Sequence, residues 1–123
     1  MNEAEELVRY HIEDSGCRWG LFDKRNNNLI GTCGFHYLRR TNDNLIVEVG
    51  FDLSKPYWGK GLMREVMIEV IRFGFTKMGI FIIDATVEPE NERSIKLLSK
   101  LGFKRELELK DNLIYFYLLS AVN

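Results

Sequence analysis

Very little in this chain advertises a charged partner. Its 123 residues carry 17 Lys and Arg against 18 Asp and Glu, a formal net charge of −1. Such a balance gives no general drive toward nucleic acid or an anionic membrane, so any anion site must be local. Cysteine is scarce, with two, Cys17 and Cys33. No CxxC pair, histidine cluster or metal-ligand spacing accompanies them. A disulfide scaffold and a structural metal site are thereby disfavoured, leaving free thiols of a reducing compartment. No apolar run approaches the roughly 20 residues of a membrane span. The opening stretch MNEAEELVRYHIEDSG is acidic and amphipathic, unlike a secretory signal or a transit peptide. The expectation is a cytoplasmic protein with no metal, no nucleic-acid partner and no membrane partner.

What is present is ordinary material for a globular domain. Apolar residues make up 46% and charged residues 28%, typical proportions for such a chain. The length predicts one domain over residues 1–123, able to bury a core without cross-links. No repeat, low-complexity tract or linker interrupts it.

Periodicity divides the chain near Leu53. Asn2–Asp14 reads as an amphipathic helix with Gly16 as its stop. Cys17–Asp23, Leu29–Arg39 and Leu45–Leu53 read as strands separated by the short turns KRNNN and TNDN, an antiparallel meander. From Lys60 to about Lys77 the apolar residues recur at helical spacing, a wide buried stripe. Ile80–Glu88 is rich in β-branched residues and reads as an interior strand covered on both faces. A right-handed crossover would make it a parallel neighbour of the third strand. NERSIKLLSKLGF predicts a short helix ending at Gly102. KRELELK and NLIYFYLLS predict a closing hairpin across Asp111 and Asn112. The fold class is α/β, a mixed antiparallel and parallel sheet with helices against its faces.

The junction SKPYWGKGLM is the most informative stretch. A helix starts immediately after Gly59-Lys60-Gly61, and a helix start offers unpaired N–H groups and the positive end of its dipole. Pro56 stiffens the entry, and the two glycines keep Cβ atoms away from an approaching anion, which makes a phosphate cradle. It matches neither the Walker pattern nor GxGxxG. By itself the pattern is equally a plain turn, with Gly59 a cap and Lys60 a solvated lysine.

The order of motifs carries more. VEVGFDL, then YWGKG opening a helix, then a strand followed by NERSIKLL, resembles the GCN5-related N-acetyltransferases (GNAT). Within them it is similar to the branch of ribosomal-protein N-terminal acetyltransferases. The resemblance covers Trp19 to Leu119. It implies acetyl-CoA as co-substrate and a primary amine as acceptor, of a protein, a peptide or a small molecule. It implies that the strands holding Glu48–Phe51 and Asp84–Glu88 splay, with Val49, Gly50 and Phe51 facing the pantetheine arm and Gly50 in a bulge. It places Trp58, Gly59, Lys60, Gly61, Leu62 and Met63 at the pyrophosphate, with Pro56 where the family has Gln or Arg. Asn91 and Ser94 match the family's second motif, Asn91 as pantetheine ligand and equally as helix cap. The tyrosine that protonates the leaving thiolate in many members falls on Leu98. Ser94 is the nearest replacement, and it is also an ordinary first-turn serine.

Amide formation needs a proton acceptor for the amine, a donor to the thioester carbonyl and a stabilised thiolate. Glu48, the only acid in LIVEVGF, is the candidate base, and the N–H of Phe51 the candidate carbonyl donor by resemblance. His36 ranks second as base. Tyr115 and Tyr117 read as core or as the acceptor mouth. Glu92 and Arg93 read as solvated. Family members begin with a strand and a helix ahead of the helix placed here at Asn2. The resemblance therefore implies a complete donor half and an incomplete acceptor wall, from a truncated natural product, a fragment, or a wall supplied by a partner chain, and the apolar surface left open suggests a homodimer. The alternatives are a catalytically idle acyl-CoA-binding or interaction module and, from the glycine turn alone, a phosphate- or nucleotide-binding domain.

Overall fold

Strand alternation gives way to helical periodicity after Leu53, and the fold follows that change. The computed structural model describes residues 12–13 and 18–120. The strands are β1 (Ile12–Glu13), β2 (Arg18–Phe22), β3 (Leu29–Thr41), β4 (Asn44–Leu53), β5 (Ile82–Val87), β6 (Lys104–Arg105) and β7 (Ile114–Leu119). Helix α1 spans Leu62–Lys77, helix α2 spans Glu92–Lys100, and a 3₁₀ turn occupies Lys55–Tyr57. All seven strands form one mixed sheet in the order β1-β2-β3-β4-β5-β7-β6.

The expected helix over Asn2–Asp14 lies outside the described residues except at its end. There Ile12 and Glu13 pair antiparallel with Trp19 and Arg18 as a strand. The outer edge of β2 offers unpaired backbone groups, and laddering satisfies them in a way a local helix would not.

β2, β3 and β4 form the predicted antiparallel meander, and β5 lies parallel to β4. β5 pairs with β4 only from Ile46↔Ile82 to Glu48↔Asp84. Beyond that point β4 continues on β3 to Leu53, and β5 continues on β7 to Val87. The central strands therefore splay, as expected. The expected bulge at Gly50 is absent, because Gly50 pairs in regular register with Gly34. The irregularity lies across the ladder, between His36 and Arg39 on β3, where Tyr37 takes φ 51°.

Handedness decides which face the helices cover. β4–α1–β5 and β5–α2–β6 both join parallel strands and both advance the same way across the sheet. Right-handed crossovers then put both helices on one face. Phe35, Val47, Ile83 and Phe116 supply the sheet side of the core, and Leu62, Val66, Met67 and Leu98 supply the helix side. β5 is accordingly not an apolar strand on both faces. Ile83, Ala85 and Val87 face the core, while Asp84 and Thr86 alternate onto the opposite, polar face. The closing hairpin turns at Asp111 and Asn112, both at positive φ. Only Lys104 and Arg105 of the predicted KRELELK strand pair as a ladder, and Leu107 is almost fully exposed.

Candidate functional site

The glycine turn takes the conformation its sequence demands. Gly59 and Gly61 have φ 77° and 75°, a left-handed region closed to most side chains. A Cβ at either position would meet nothing within 4 Å, so backbone conformation and not crowding by the protein requires glycine there. Gly61 is the N-cap of α1, and the first intrahelical bond runs from Glu65 N–H to the Gly61 carbonyl at 3.2 Å. The N–H groups of Gly61, Leu62 and Met63 have no backbone acceptor among the described residues, as the first donors of a helix must not.

These donors open on a cleft of about 540 Å³ between the splayed strand β4 and the starts of both helices. Phe51 and Leu53 form its β4 wall, Gly59, Gly61 and Met63 its α1 side, and Asn91, Ser94 and Leu97 its α2 side. Arg64, Arg93, Lys96 and Lys100 also line it, against Asp52 as an acid. Three of those cations repeat at helical spacing on α2. The chain is neutral overall, yet this cleft is locally basic. Gly50 does not line it, and Val49 turns its side chain into the core. Lys60 is exposed and outside the lining, whereas the side chains of Leu62 and Met63 are mostly core.

Trp58 and Arg93 are tied together. The Trp58 indole donates to the Leu53 carbonyl at 2.7 Å, and the Arg93 guanidinium stacks 3.2 Å from the ring centroid. Arg93 is thus engaged across the mouth and not simply solvated. Such stacking joins the end of β4, the glycine turn and α2. Sequence reasoning had no signal for this, because the three segments are distant in the chain.

A second contact missed from sequence steadies the entry to the turn. Asp23 is fully buried, and it accepts from Arg25 Nη2 at 2.7 Å and from Tyr57 Oη at 2.7 Å. The Arg25 side chain first, then Tyr57, hold the Asp23 carboxyl well below the usual carboxylate range. The same bond to Asp23, with burial, pushes the Tyr57 phenol up. Tyr57 therefore fixes the 3₁₀ turn that feeds directly into Trp58 and Gly59.

On α2, Asn91 is the N-cap, and its Oδ1 accepts from the Ser94 N–H at 3.2 Å. Ser94 Oγ has no partner among the described residues. Leu98 is wholly buried in the core and presents nothing to the cleft. Cys33 is a free buried thiol beside Met67, pushed up to about 12 by burial, and is therefore inert. Cys17 lies outside the described residues.

The polar face carries the remaining candidates. Glu48 Oε1 lies 2.7 Å from His36 Nε2, and its Oε2 lies 3.5 Å from Thr86 Oγ1. Asp84, opposite Glu48 across the β4–β5 pair, is buried and held by Arg39 and by Tyr115 Oη at 2.7 Å. Burial and then that bond push the Tyr115 phenol up. Tyr115 and Tyr117 stack on this face with centroids 6.1 Å apart, while Phe116 between them enters the core. No group of metal-ligating side chains occurs among the described residues. No helix among them is long and apolar enough to cross a membrane.

The fold is thus a mixed sheet whose central strands splay beside a basic cleft at the helix starts. Residues 1–104 match the Acetyltransferase (GNAT) domain family, and the chain belongs to that family. It is 40% identical over 115 residues to the uncharacterized N-acetyltransferase p20 of Bacillus licheniformis, covering 90% of this chain and 64% of that protein. It is 33% identical over 108 residues to the ribosomal protein uS5-alanine N-acetyltransferase of Escherichia coli, covering 88% of this chain and 55% of that one. Among solved structures, the ribosomal-protein-S5-alanine acetyltransferase of Vibrio fischeri superposes with a TM-score of 0.78 at 29% identity, covering 85% and 62% of the two chains. The chain thus spans between about half and two thirds of the length of these relatives.

Proposed function

We propose that the chain transfers the acetyl group of acetyl-CoA directly to a primary amine. The observation that carries the reading is the basic cleft at the splay. Left-handed glycines expose first-turn N–H groups there, and Arg64, Arg93, Lys96 and Lys100 surround them. A polyphosphate is the ligand such donors suit, and family membership makes acetyl-CoA the one to test. In this reading the amides of Gly59, Lys60, Gly61, Leu62 and Met63 hold the pyrophosphate, while Trp58 clamps the turn. Val49, Gly50 and Phe51 offer the unpaired edge of β4 to the pantetheine arm. Asn91 orders the start of α2, and Ser94 Oγ receives the thiolate. The acceptor amine approaches from the polar face, where Glu48 supplies the negative charge for proton removal. The acceptor class is a protein or peptide α-amine or a small-molecule amine, and similarity to a ribosomal-protein alanine acetyltransferase favours the α-amine.

A release assay for free CoA, run against peptide N-termini and small amines, tests the activity. Amine-dependent release supports it. A melting shift with CoA and no release with any amine would leave an idle acyl-CoA-binding module, which Leu98 favours because α2 then brings no phenol to the cleft. A shift with ATP that CoA does not compete away would return the nucleotide-binding reading. Two further elements belong to the proposal. Free, buried Cys33 suits a reducing cytoplasm. Tyr37 and Leu38, 67% and 53% exposed at the β3 bulge, suit a homodimer, which light scattering would detect.

A further inference from the structure

Glu48 is the obvious proton acceptor by sequence, but its two oxygens are turned toward protein neighbours. His36 Nε2 meets Oε1 at 2.7 Å, and Thr86 Oγ1 faces Oε2 at 3.5 Å. A carboxylate only accepts hydrogen bonds, so a neutral His36 must carry its proton on Nε2 in this contact. Nδ1 is then the bare nitrogen with a lone pair, and it has no partner among the described residues. Gly50 makes the arrangement possible. A Cβ there would stand 2.7 Å from His36 Cε1 and 3.4 Å from Nδ1. The ring therefore lies over Gly50, two residues past Glu48, at the point where β4 leaves β5.

The surrounding charges are buried or face other partners. Asp84 on β5 gives its Oδ2 to Arg39 of β3 and Tyr115 of β7, and its Oδ1 is buried with no partner among the described residues. Asp52 on β4 accepts from Thr32, which itself accepts from Arg18. Tyr117 stacks on Tyr115. His36 and Glu48 are left as a pair, with the His36 side chain 44% exposed, open to an incoming amine and to solvent.

We infer that His36 Nδ1 takes the proton from the acceptor amine and that Glu48 is its positioning residue, holding the ring and stabilising the imidazolium. The inference rests on the acetyl-transfer reading. An ammonium acceptor gives one proton to Nδ1, and the amine lone pair forms the C–N bond at the thioester carbonyl. The C–S bond breaks, and its electron pair leaves with the CoA sulfur. The second nitrogen proton goes to that thiolate, giving amide and CoA thiol. The third stays on the amide, and the imidazolium returns its proton to water.

The pair of variants His36→Gln and Glu48→Gln tests the assignment. His36→Gln keeps a donor for Glu48 but has no basic nitrogen, so kcat/KM should fall about 100-fold or more. The rising limb of its pH profile should disappear. Glu48→Gln should cost less and keep a rising limb, because the imidazole remains. The opposite order, with His36→Gln within a few-fold of wild type, would make Glu48 the base and overturn the inference. Nitrogen NMR of the ring, assigned by loss of signal in His36→Gln, gives a readout independent of turnover. The Nε2–H tautomer supports the inference, and an Nδ1–H tautomer overturns it. Failure of the acetyl-transfer reading looks different: no amine elicits release from wild type, whatever the tautomer.

Discussion

The two faces of this sheet are built on opposite principles. The helix face is apolar and closed, with Leu98, Phe35, Phe116 and Met67 fully buried, and its chemistry sits only at the helix starts, in backbone N–H groups and basic side chains. The opposite face is an array of polar side chains, His36–Glu48–Thr86 beside Arg39–Asp84–Tyr115. One face can bind through conformation, so single glycines matter most. The other can move protons, so side-chain identity matters most. Pyrophosphate binding should therefore depend on the helix face and proton removal on the polar face.

The largest effect is expected where conformation does the binding. Gly61→Val puts a β-branched residue at φ 75°, which such residues avoid. Wild type at ligand 100-fold above Kd should gain about 2.7 kcal/mol of stability from CoA, seen as a rise in melting temperature. The variant should fold but lose that rise. An unchanged rise would move the binding site off the helix face.

Gly50→Ala sharpens the contrast. Its Cβ would stand 2.7 Å from His36 Cε1, so the ring must shift from its present seat beside Glu48. Turnover should fall about 100-fold, as for a lost general base, while the CoA melting shift stays close to wild type. Gly50 offers only its backbone edge to the pantetheine arm, so parallel loss of binding and turnover would mean that the substitution acts through that arm and not through His36.

Ser94→Ala probes the cleft hydroxyl that has no partner among the described residues, the Tyr57 hydroxyl being bonded to Asp23. The Ser94 N–H, not its Oγ, is the group capped by Asn91, so the helix start should survive the change. Loss of a hydrogen bond to a developing thiolate should lower kcat about tenfold or more without changing CoA affinity. Wild-type kcat would reduce Ser94 to an ordinary first-turn serine.

Legibility followed the range of the interactions. The meander, α1 and the glycine turn were readable because each is written in local periodicity or in a short motif, whereas the splay came only with the family resemblance. The cations of α2 went unread: Arg93 read as solvated, and the cleft that gathers it with Lys96 and Lys100 exists only in the fold. The bulge was misplaced because Gly50 serves a close approach by His36 on the neighbouring strand, and sequence shows only that a side chain is missing. β5 read as covered on both faces because its apolar run hides Asp84, whose partners Arg39 and Tyr115 lie 45 and 31 residues away. The His36–Glu48 pair depends on register across β3 and β4, which no local pattern encodes.

The smallest predicted effect links the loop at the far end of β2 to the helix face. Asp23 holds Tyr57 and Arg25, and its carboxyl lies well below its ordinary value. A depressed carboxyl contributes stability that is complete above the unfolded value of about 3.9 and drains away as pH falls toward the folded one. Asp23→Asn should lower the melting temperature at neutral pH, and the gap to wild type should hold steady down to about pH 4, then narrow on further acidification. Because Tyr57 anchors the turn before Trp58 and Gly59, the CoA melting shift should shrink modestly without vanishing. Tyr57→Phe should reproduce the smaller CoA shift with less loss of stability, since Arg25 still pairs with Asp23. A gap that widens below pH 4, measured by thermal unfolding across the range, would show that Asp23 is not an ionised anchor in the folded chain.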